Sequence, residues 1–464
     1  NEKNFGINYS FGTDLVTLSN EPQKQYNLLN HKLTRGSIMK TLQHITKSMS
    51  LVLLLIFGVV GMASAQFDRD LQYYTSPDQT GLNQFEAPFE TDVEFDGLNV
   101  RIGGANTLQF QGISQDNDAG SLGELESNFN LATSNLDLDV ALANGLRMHL
   151  RTYLSSQHHP ESYVKGGYMQ VDRLDFISEG FASGIMDHVR IKVGHMEPNY
   201  GDAHFRRTDN ADAIHNPFVG NYIMDSFTTE VGGEVYLHNN GLFGMIGLTN
   251  GKLNQSTQKE NASVTFYTKL GVDKQANENL RYRLTGSLWT SSESNYQYLY
   301  SGDRAGSRYY NVMDDGFRSG RFDPGFTVSG RAPGGPIAGE MTSIMINPFV
   351  KFGGLEFFGL YENVSGKLAT ESSDRSYNQY GAELLYRFGA NEDVYLGTRY
   401  NLVDGSDTDQ EISRFNIGGG WFLTKNVLAK FEYVTQSYSG DGFNGSKYEG
   451  GEFDGVVLEA VISF

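Results

Sequence analysis

Residues 456–464 at the end of the chain read VVLEAVISF and decide the fold class. Successive side chains of a β-strand point to opposite faces, so alternate residues share one face. One face of this stretch is apolar throughout: Val456, Leu458, Ala460, Ile462 and Phe464. A soluble domain seldom ends on such a strand, because chain termini are usually frayed and polar. The pattern is typical of the closing strand of a transmembrane β-barrel.

The beginning of the chain predicts a secretory signal peptide over residues 39–65. Lys40 and Lys47 precede the apolar run 51–60, and small residues 63–65 read ASA before Gln66. The run is too short for a transmembrane helix, which takes about 20 apolar residues. We expect residues 1–38, which lack apolar periodicity, to be an upstream extension and not part of the mature protein.

Composition excludes several classes of protein. The chain holds 36 Lys and Arg against 55 Asp and Glu, and this acidic balance argues against a nucleic-acid partner. It has no cysteine, which excludes disulfides and thiolate chemistry. Residues 66–97 are particularly acidic, and we expect an extended periplasmic arm or a disordered linker there.

Apolar alternation predicts an all-β, antiparallel transmembrane barrel over residues 98–464. The candidate strands, about sixteen, lie near residues 98–113, 127–142, 145–156, 164–177, 188–197, 229–239, 242–250, 262–273, 279–290, 341–352, 354–364, 376–388, 393–403, 411–423, 426–438 and 451–464. Tight Asn-Gly or Gly-Gly turns alternate with long polar loops. Short periplasmic turns and long extracellular loops are the layout of an outer-membrane barrel. The exception, segment 178–187, is too long for a tight turn and is a candidate short helix.

The same alternation assigns the two faces of the strands. A charge on the lipid face would cost roughly 2–4 kcal/mol at mid-depth, so the charged side chains are expected to face the lumen. The side chains assigned to the lumen are Arg147, His149, Arg151, Arg190, Lys192, Arg281, Arg283, Asp137 and Asp139. We expect a wet lumen of mixed charge, wider than side chains alone can fill.

Residues 193–202, VGHMEPNYGD, together with the long loop after them and the sixteen-strand pattern, resemble the porin family that includes the phosphate-selective porins O and P, in its Bacteroidetes-type branch. The chain's ending likewise resembles the carboxy-terminal signature of Gram-negative outer-membrane proteins. The resemblance implies a homotrimer in the outer membrane of a Gram-negative bacterium, in contact with its lipid and lipopolysaccharide. It also implies an inward-folded third extracellular loop that narrows the pore. This chain has inward arginines but no lysine cluster in that loop. The resemblance therefore implies a general or mildly anion-selective pore.

The third extracellular loop corresponds to residues 198–228. Its candidate constriction residues are Arg206, Arg207, Asp209 and Asp212. Arginines facing aspartates would create a transverse field that orients polar solutes. The alternative is a solvated loop surface without a role in the pore. Loop 291–340 interleaves tyrosines with arginines, which fits either a vestibule that collects ligands or a lid.

We expect a pore for small polar or anionic solutes, with no catalysis, metal or cofactor. Histidines 195, 204 and 215 lack compact metal-ligand spacing, and no serine has a nucleophile's setting. The alternative is a plugged barrel that serves in adhesion or as a scaffold for partner proteins. A plugged barrel should neutralise the inward arginines with carboxylates from its loops, whereas a pore should leave them wet.

Overall fold

The computed structural model describes residues 70–154, 162–208, 212–252, 263–300, 310–314, 320–327, 337–405 and 407–464. These residues form a closed antiparallel barrel of sixteen strands, each paired with both of its neighbours along the chain. The strands are β1 Asn99–Asp116, β2 Asn128–Ala143, β3 Leu146–Leu154, β4 Ser162–Val171, β5 Val189–Met196, β6 Glu230–Asn239, β7 Leu242–Thr249, β8 Thr265–Gln275, β9 Leu280–Ser294, β10 Gly339–Phe352, β11 Leu355–Leu368, β12 Arg375–Phe388, β13 Val394–Gly405, β14 Gln410–Thr424, β15 Val427–Ser439 and β16 Glu452–Ser463. The prediction of an all-β antiparallel barrel is confirmed.

The last strand closes the barrel, as its sequence predicts. β16 pairs with β15 on one side and with β1 on the other, in a register that places Leu108 opposite Ala460. The terminal Phe464 exchanges backbone hydrogen bonds of 3.0 Å with Gly104 in both directions. The closed sheet therefore has no unpaired edge. A β-sheet in lipid must meet this condition because its backbone groups cannot bind water there.

Side chains alternate across the barrel wall along β16. Leu458 and Ile462 are 45% and 47% exposed on the outer face, whereas Val457 and Val461 are fully buried on the inner face. The outer face carries exposed apolar side chains on almost every strand, and Phe129, Leu237, Leu270, Leu284, Phe352 and Leu396 are among the most exposed. This belt is the surface that the alternation assigned to lipid.

The tight turns all lie at one end of the barrel, which we call the short-turn end. Between β6 and β7, Asn240 and Gly241 have φ values of +48° and +77°. Positive φ at both central residues is the geometry of a type I′ hairpin turn, which the Asn-Gly sequence favours.

Strand β4 ends at Val171, six residues before the end predicted for it. The backbone N–H groups of Asp172 and Arg173 both donate to the carbonyl of Gly145, so the chain turns there and leaves the sheet. The segment that follows contains the one-turn helix α1, Ser183–Met186, which confirms the predicted short helix. Short 3-10 turns lie at Gln79–Gly81, Ala203–Arg206, Asp212–Ile214 and Asp441–Phe443. Among the described residues, no helix has the length and apolarity needed to cross a membrane.

The lumen differs from the wet channel that the sequence predicts. Part of it is filled by an apolar cluster in which loop residues Val219, Ile223 and Met224 contact inward side chains such as Trp289 and Phe349. Described parts of the loop between β9 and β10, including Tyr300 and Tyr310, belong to the same cluster. A sixteen-strand barrel is too wide for wall side chains alone to fill, so its long loops fold inward and bury their apolar side chains.

Candidate functional site

The described residues of loop 198–228 lie inside the barrel, where Arg206 binds carboxylates of the wall and Arg207 binds a carboxylate of the loop itself. Arg206 Nη2 is 2.8 Å from Glu356 Oε1 on β11 and 2.8 Å from Glu383 Oε2 on β12. Arg207 Nε is 2.7 Å from Asp225 Oδ1, farther along the same loop. Both guanidinium groups are almost fully buried.

The transverse field expected between these arginines and Asp209 and Asp212 stays a prediction, because Asp209 lies outside the described residues. Arg206 meets carboxylates of the wall, and Asp212 lies 3.9 Å from Arg151 on β3. The physical reason for the Arg206 contacts is burial: a guanidinium removed from water needs close carboxylates, and the inward fold of the loop brings it to the wall. A role for this loop in constricting the pore stays a prediction.

The wall carboxylates join Arg206 to further cations. Glu356 also accepts from Arg387, and Glu383 accepts from Arg399. Sequence reasoning missed these four wall residues. Each stands at a polar position in an apolar-alternating strand, the signal that did identify the lumen side of β2, β3, β5 and β9.

Asp202 forms a second buried centre at the start of the loop. Its carboxylate accepts from Arg283 at 2.8 Å, from the Lys269 ammonium at 2.9 Å and from the Thr285 hydroxyl at 2.8 Å. Both Asp202 and Lys269 are fully buried. Burial alone would raise the pKa of the Asp202 carboxyl, but Arg283 and Lys269 outweigh burial and hold it well below its usual value. The residue belongs to the passage 193–202, yet the sequence did not single it out.

The side chains predicted to face the lumen lie on the inner face of the barrel, and most bind a carboxylate of an adjacent strand. Asp139 Oδ1 is 3.2 Å from Arg147 and 2.8 Å from His149. The remaining pairs are Arg151 with Asp137 at 2.7 Å, Arg190 with Asp172 at 2.6 Å, Lys192 with Glu234 at 3.7 Å and Arg281 with Asp273 at 2.8 Å. Carboxylates on loops thus neutralise only some of the inward cations. The source of the neutralising carboxylates therefore does not by itself distinguish a pore from a plugged barrel.

A cavity of about 210 Å³ lies inside the barrel against β3, β4 and β5. Five cationic side chains line it: Arg147, Arg151, Lys165, Arg190 and Lys192. Three carboxylates line it as well, those of Glu86, Glu197 and Asp212. The partners of the cations, Asp137, Asp139, Asp172 and Glu234, are not among the residues that line the cavity. A solute in this space meets more positive than negative groups, and a low-dielectric wall strengthens their field.

His204 lies among polar side chains of its own loop. His204 Nδ1 lies 2.9 Å from Glu197, and its Nε2 lies 3.0 Å from the Asn199 side-chain oxygen. Within the part of the chain that the structure describes, no group of three potential ligands is arranged to hold a metal ion.

We expect His215 to make the contact between this loop and residues 76–81 pH-dependent. Burial lowers the pKa of His215 to about 4, and Arg151 acts in the same direction, while Asp78 and the backbone of Ser76 oppose the shift. A detached imidazole takes up a proton near pH 6.5, whereas the buried one stays neutral until about pH 4. Acidification from pH 6.5 to about 4 should therefore destabilise the folded state, by at most roughly 3 kcal/mol.

This pH effect is measured by thermal unfolding in detergent between pH 7.5 and 4. The melting temperature of the His215→Gln variant should fall less over this range than that of the native protein. Parallel curves for the two proteins would show that another group carries the acid sensitivity.

Comparison with solved structures identifies the architecture. The fold is similar to the anion-selective porin from Comamonas acidovorans, with a TM-score of 0.51 and 13% identity over 79% of this chain and 100% of that one. It is also similar to OmpTdeltaL8, a loop-deletion mutant of an outer membrane protein of Vibrio cholerae, with a TM-score of 0.50 and 8% identity over 80% and 100% of the two chains. For the outer membrane channel DcaP of Acinetobacter baumannii, the TM-score is 0.47 and the identity 11% over 80% and 99%.

No protein-family model matches the chain, and no curated protein is similar to it in sequence. At these identities the likeness establishes the fold alone, which this chain shares with an anion-selective porin and with another outer membrane protein.

Proposed function

We propose that this protein is a porin of the outer membrane of a Gram-negative bacterium, through which small polar or anionic solutes diffuse passively. The fold supports the proposal because a closed antiparallel barrel with an apolar outer belt satisfies its backbone hydrogen bonds in lipid. The proposed mechanism has no catalytic step and no cofactor.

The observation that carries the proposal is the basic cavity. Its five cations outnumber its three carboxylates although the chain as a whole has a net charge of −19. A solute path lined in this way favours anions over cations of the same size, while the width of the path sets the size limit. Mild anion preference, without specificity for phosphate, is the selectivity that we propose.

The resemblance to the phosphate-selective porin family supports a homotrimer in contact with outer-membrane lipid and lipopolysaccharide. In planar lipid bilayers, a trimer should insert in conductance steps that are multiples of three. Chemical crosslinking of the purified protein in mild detergent should give a band at three times the mass of one chain.

Replacing Lys165 and Lys192 together by glutamine tests the basic cavity. Both side chains line the cavity, so their loss should lower the ratio of anion to cation permeability by about two- to threefold. The measurement is the reversal potential in a KCl gradient across a planar bilayer. Lys274→Gln is a matched control, because Lys274 lies on β8 and does not line this cavity. If the double variant and the Lys274→Gln control had the same ratio of anion to cation permeability, ions would cross the barrel by a path that avoids the basic cavity.

A plugged barrel that serves in adhesion or as a scaffold is the second candidate. The filling of the lumen favours it, since the cluster around Ile223, Met345 and Phe358 is fully buried inside the barrel. Bilayer conductance separates the two functions: channel openings, whether steady or brief, support the porin, and complete silence from well-folded protein supports the scaffold.

A further inference from the structure

The acidic segment before the first strand does not hang free of the barrel. Its described part, residues 70–97, is called the arm below. Gln72 exchanges hydrogen bonds with Asn144 and Gly145 in the turn between β2 and β3. Seven residues later, the backbone N–H of Gln79 donates to the carbonyl of Lys425 in the turn between β14 and β15, at 2.8 Å. The arm thus connects separate turns of the short-turn end.

From there the arm follows the inner wall from β11 to β6. The Asn83 side chain donates to Glu356 at 2.8 Å and accepts from Arg206 at 2.6 Å. Phe85 is buried against Phe349, with ring centroids 5.3 Å apart. At the β6 end of this path, the Phe89 ring stacks on His238, with ring centroids 4.1 Å apart.

Glu86 is the charged contact at the centre of the arm. Its carboxylate lies 2.8 Å from Arg283 and 3.3 Å from Lys269, and it accepts from Asn199 at 3.0 Å. Burial opposes its ionisation, but Arg283 and Lys269 outweigh burial and lower the pKa of the carboxyl. Because the attached carboxyl has a pKa below that of a free glutamate, its attachment is intact at neutral pH and weakens only in acid.

Two cavities meet at this part of the arm. Gln84, Phe85, Glu86 and Ala87 line the basic cavity of about 210 Å³, and the same four residues line a cavity of about 410 Å³. The second cavity borders Asn240 and Gly241, in the turn between β6 and β7 at the short-turn end. A segment only four residues long therefore separates the basic cavity from the short-turn mouth along this side.

The arm can leave without exposing an unpaired sheet edge. All sixteen strands pair with their neighbours, and no strand pairing involves the arm. Its described regular structure is a single 3-10 turn, Gln79–Gly81. Departure of the arm would break side-chain and isolated backbone contacts only, whereas departure of a strand would open the barrel.

Departure also leaves the buried cations that bind polar groups of the arm with another carboxylate, while the half-exposed Lys425 loses its 3.2 Å contact with Asp78. Arg283 and Lys269 keep Asp202, Arg190 keeps Asp172, and Arg281 keeps Asp273. Arg206 keeps Glu356 and Glu383. Removing a partner from a buried charge is costly mainly when nothing else compensates that charge. The barrel can thus lose the arm without leaving these buried cations uncompensated.

We propose that the arm is a displaceable plug, and that solutes pass between the basic cavity and the short-turn mouth only when residues 84–87 have moved away. The inference rests on the proposed porin function and adds a gate to it. The native channel then spends most of its time closed.

The first test weakens the plug at its centre. Glu86→Gln removes the charge while keeping the size, so the channel should be open about ten times more of the time than the native one. Single-channel recording of the full-length protein measures this open fraction. Glu94→Gln is the matched control, because Glu94 is exposed on the same arm and lines neither cavity, and its open fraction should equal the native value.

The second test locks the plug in place. The 2.8 Å contact between Gln79 N and Lys425 O puts the two Cα atoms at most about 7 Å apart, within reach of a disulfide. The chain has no cysteine of its own, so within one chain Gln79→Cys with Lys425→Cys can form only the intended bridge, and a non-reducing gel detects any bridge between chains. With residue 79 fixed and β1 starting at residue 99, the segment 84–87 is tethered at both ends.

The lock is applied to the Glu86→Gln protein. Oxidation should reduce its conductance about tenfold, and dithiothreitol should restore it, while the Gln79→Cys single variant should not respond. Equal conductance in the oxidised and reduced forms, in channels that do conduct, would overturn the plug and leave the porin standing. No conductance from any form, including the reduced Glu86→Gln protein, would overturn the porin and the plug together.

Discussion

Replacing Asp202 by alanine is expected to destabilise the folded barrel by about 3–5 kcal/mol. The change leaves the fully buried Lys269 ammonium and the Arg283 guanidinium without the carboxylate that they share. Glu86 alone would then face both cations, from an arm that is held by contacts outside the sheet. We expect loop 198–228 to lose its attachment at its first turn.

The measurement is thermal unfolding of the detergent-solubilised protein, followed by circular dichroism. Asp202→Asn keeps hydrogen-bonding capacity at the same size and should lose less stability than the alanine variant. Asp92→Ala removes an exposed carboxylate from the arm and should melt like the native protein. If the Asp202→Ala and Asp92→Ala proteins had the same melting temperature, water or another group would have replaced Asp202 beside Lys269 and Arg283. The Asp202 carboxylate would then not be needed for the stability of the barrel.

Replacing Arg206 by glutamate is expected to have an effect of similar size. The new carboxylate would stand against Glu356 and Glu383, both fully buried, where like charges repel strongly. A destabilisation of about 3–5 kcal/mol should accompany detachment of the loop from β11 and β12. A simple shift of reversal potential, the result expected for a charge that lines an open constriction, should not be observed on its own.

Two measurements on the Arg206→Glu protein distinguish destabilisation of the barrel from a simple change of ion selectivity. Thermal unfolding reports the stability, and limited proteolysis reports whether loop 198–228 has become accessible. Lys274→Glu makes the same change in net charge on β8 outside the basic cavity and serves as the control. A stable Arg206→Glu protein with an altered reversal potential would show that Arg206 faces the solute path and that its ion pairs are weak.

The sequence predicted the wall of this protein well because a barrel wall is built from local rules. Period-two alternation is required wherever one face meets lipid, so it marks strands one at a time. Asn-Gly turns require positive φ, which is visible in the residue types themselves. All sixteen predicted strands correspond to observed ones, and the largest error, at the end of β4, arose where Asp172 and Arg173 turn to Gly145.

The contents of the barrel followed no such local rule. Arg206 meets Glu356 and Glu383 across 150 and 177 residues of sequence, and Asp202 meets Lys269 across 67. The inward arginines were predicted as charges in water, yet most of them bind carboxylates of the wall. The arm was expected to be an extended linker, and its acidic composition carries no sign of Phe85 entering the lumen.

The amino-acid sequence by itself determined the barrel, its strand number, and the inward or outward direction of the side chains on the clearly alternating strands. Each of these depends on residues close together in the chain and on a membrane that rejects charge. Only the tertiary structure decided which charges meet, which loops fill the lumen and where a cavity remains. A long loop can reach many different partners. Which of them it binds depends on packing and charge compensation inside the lumen, which exists only after the barrel has closed.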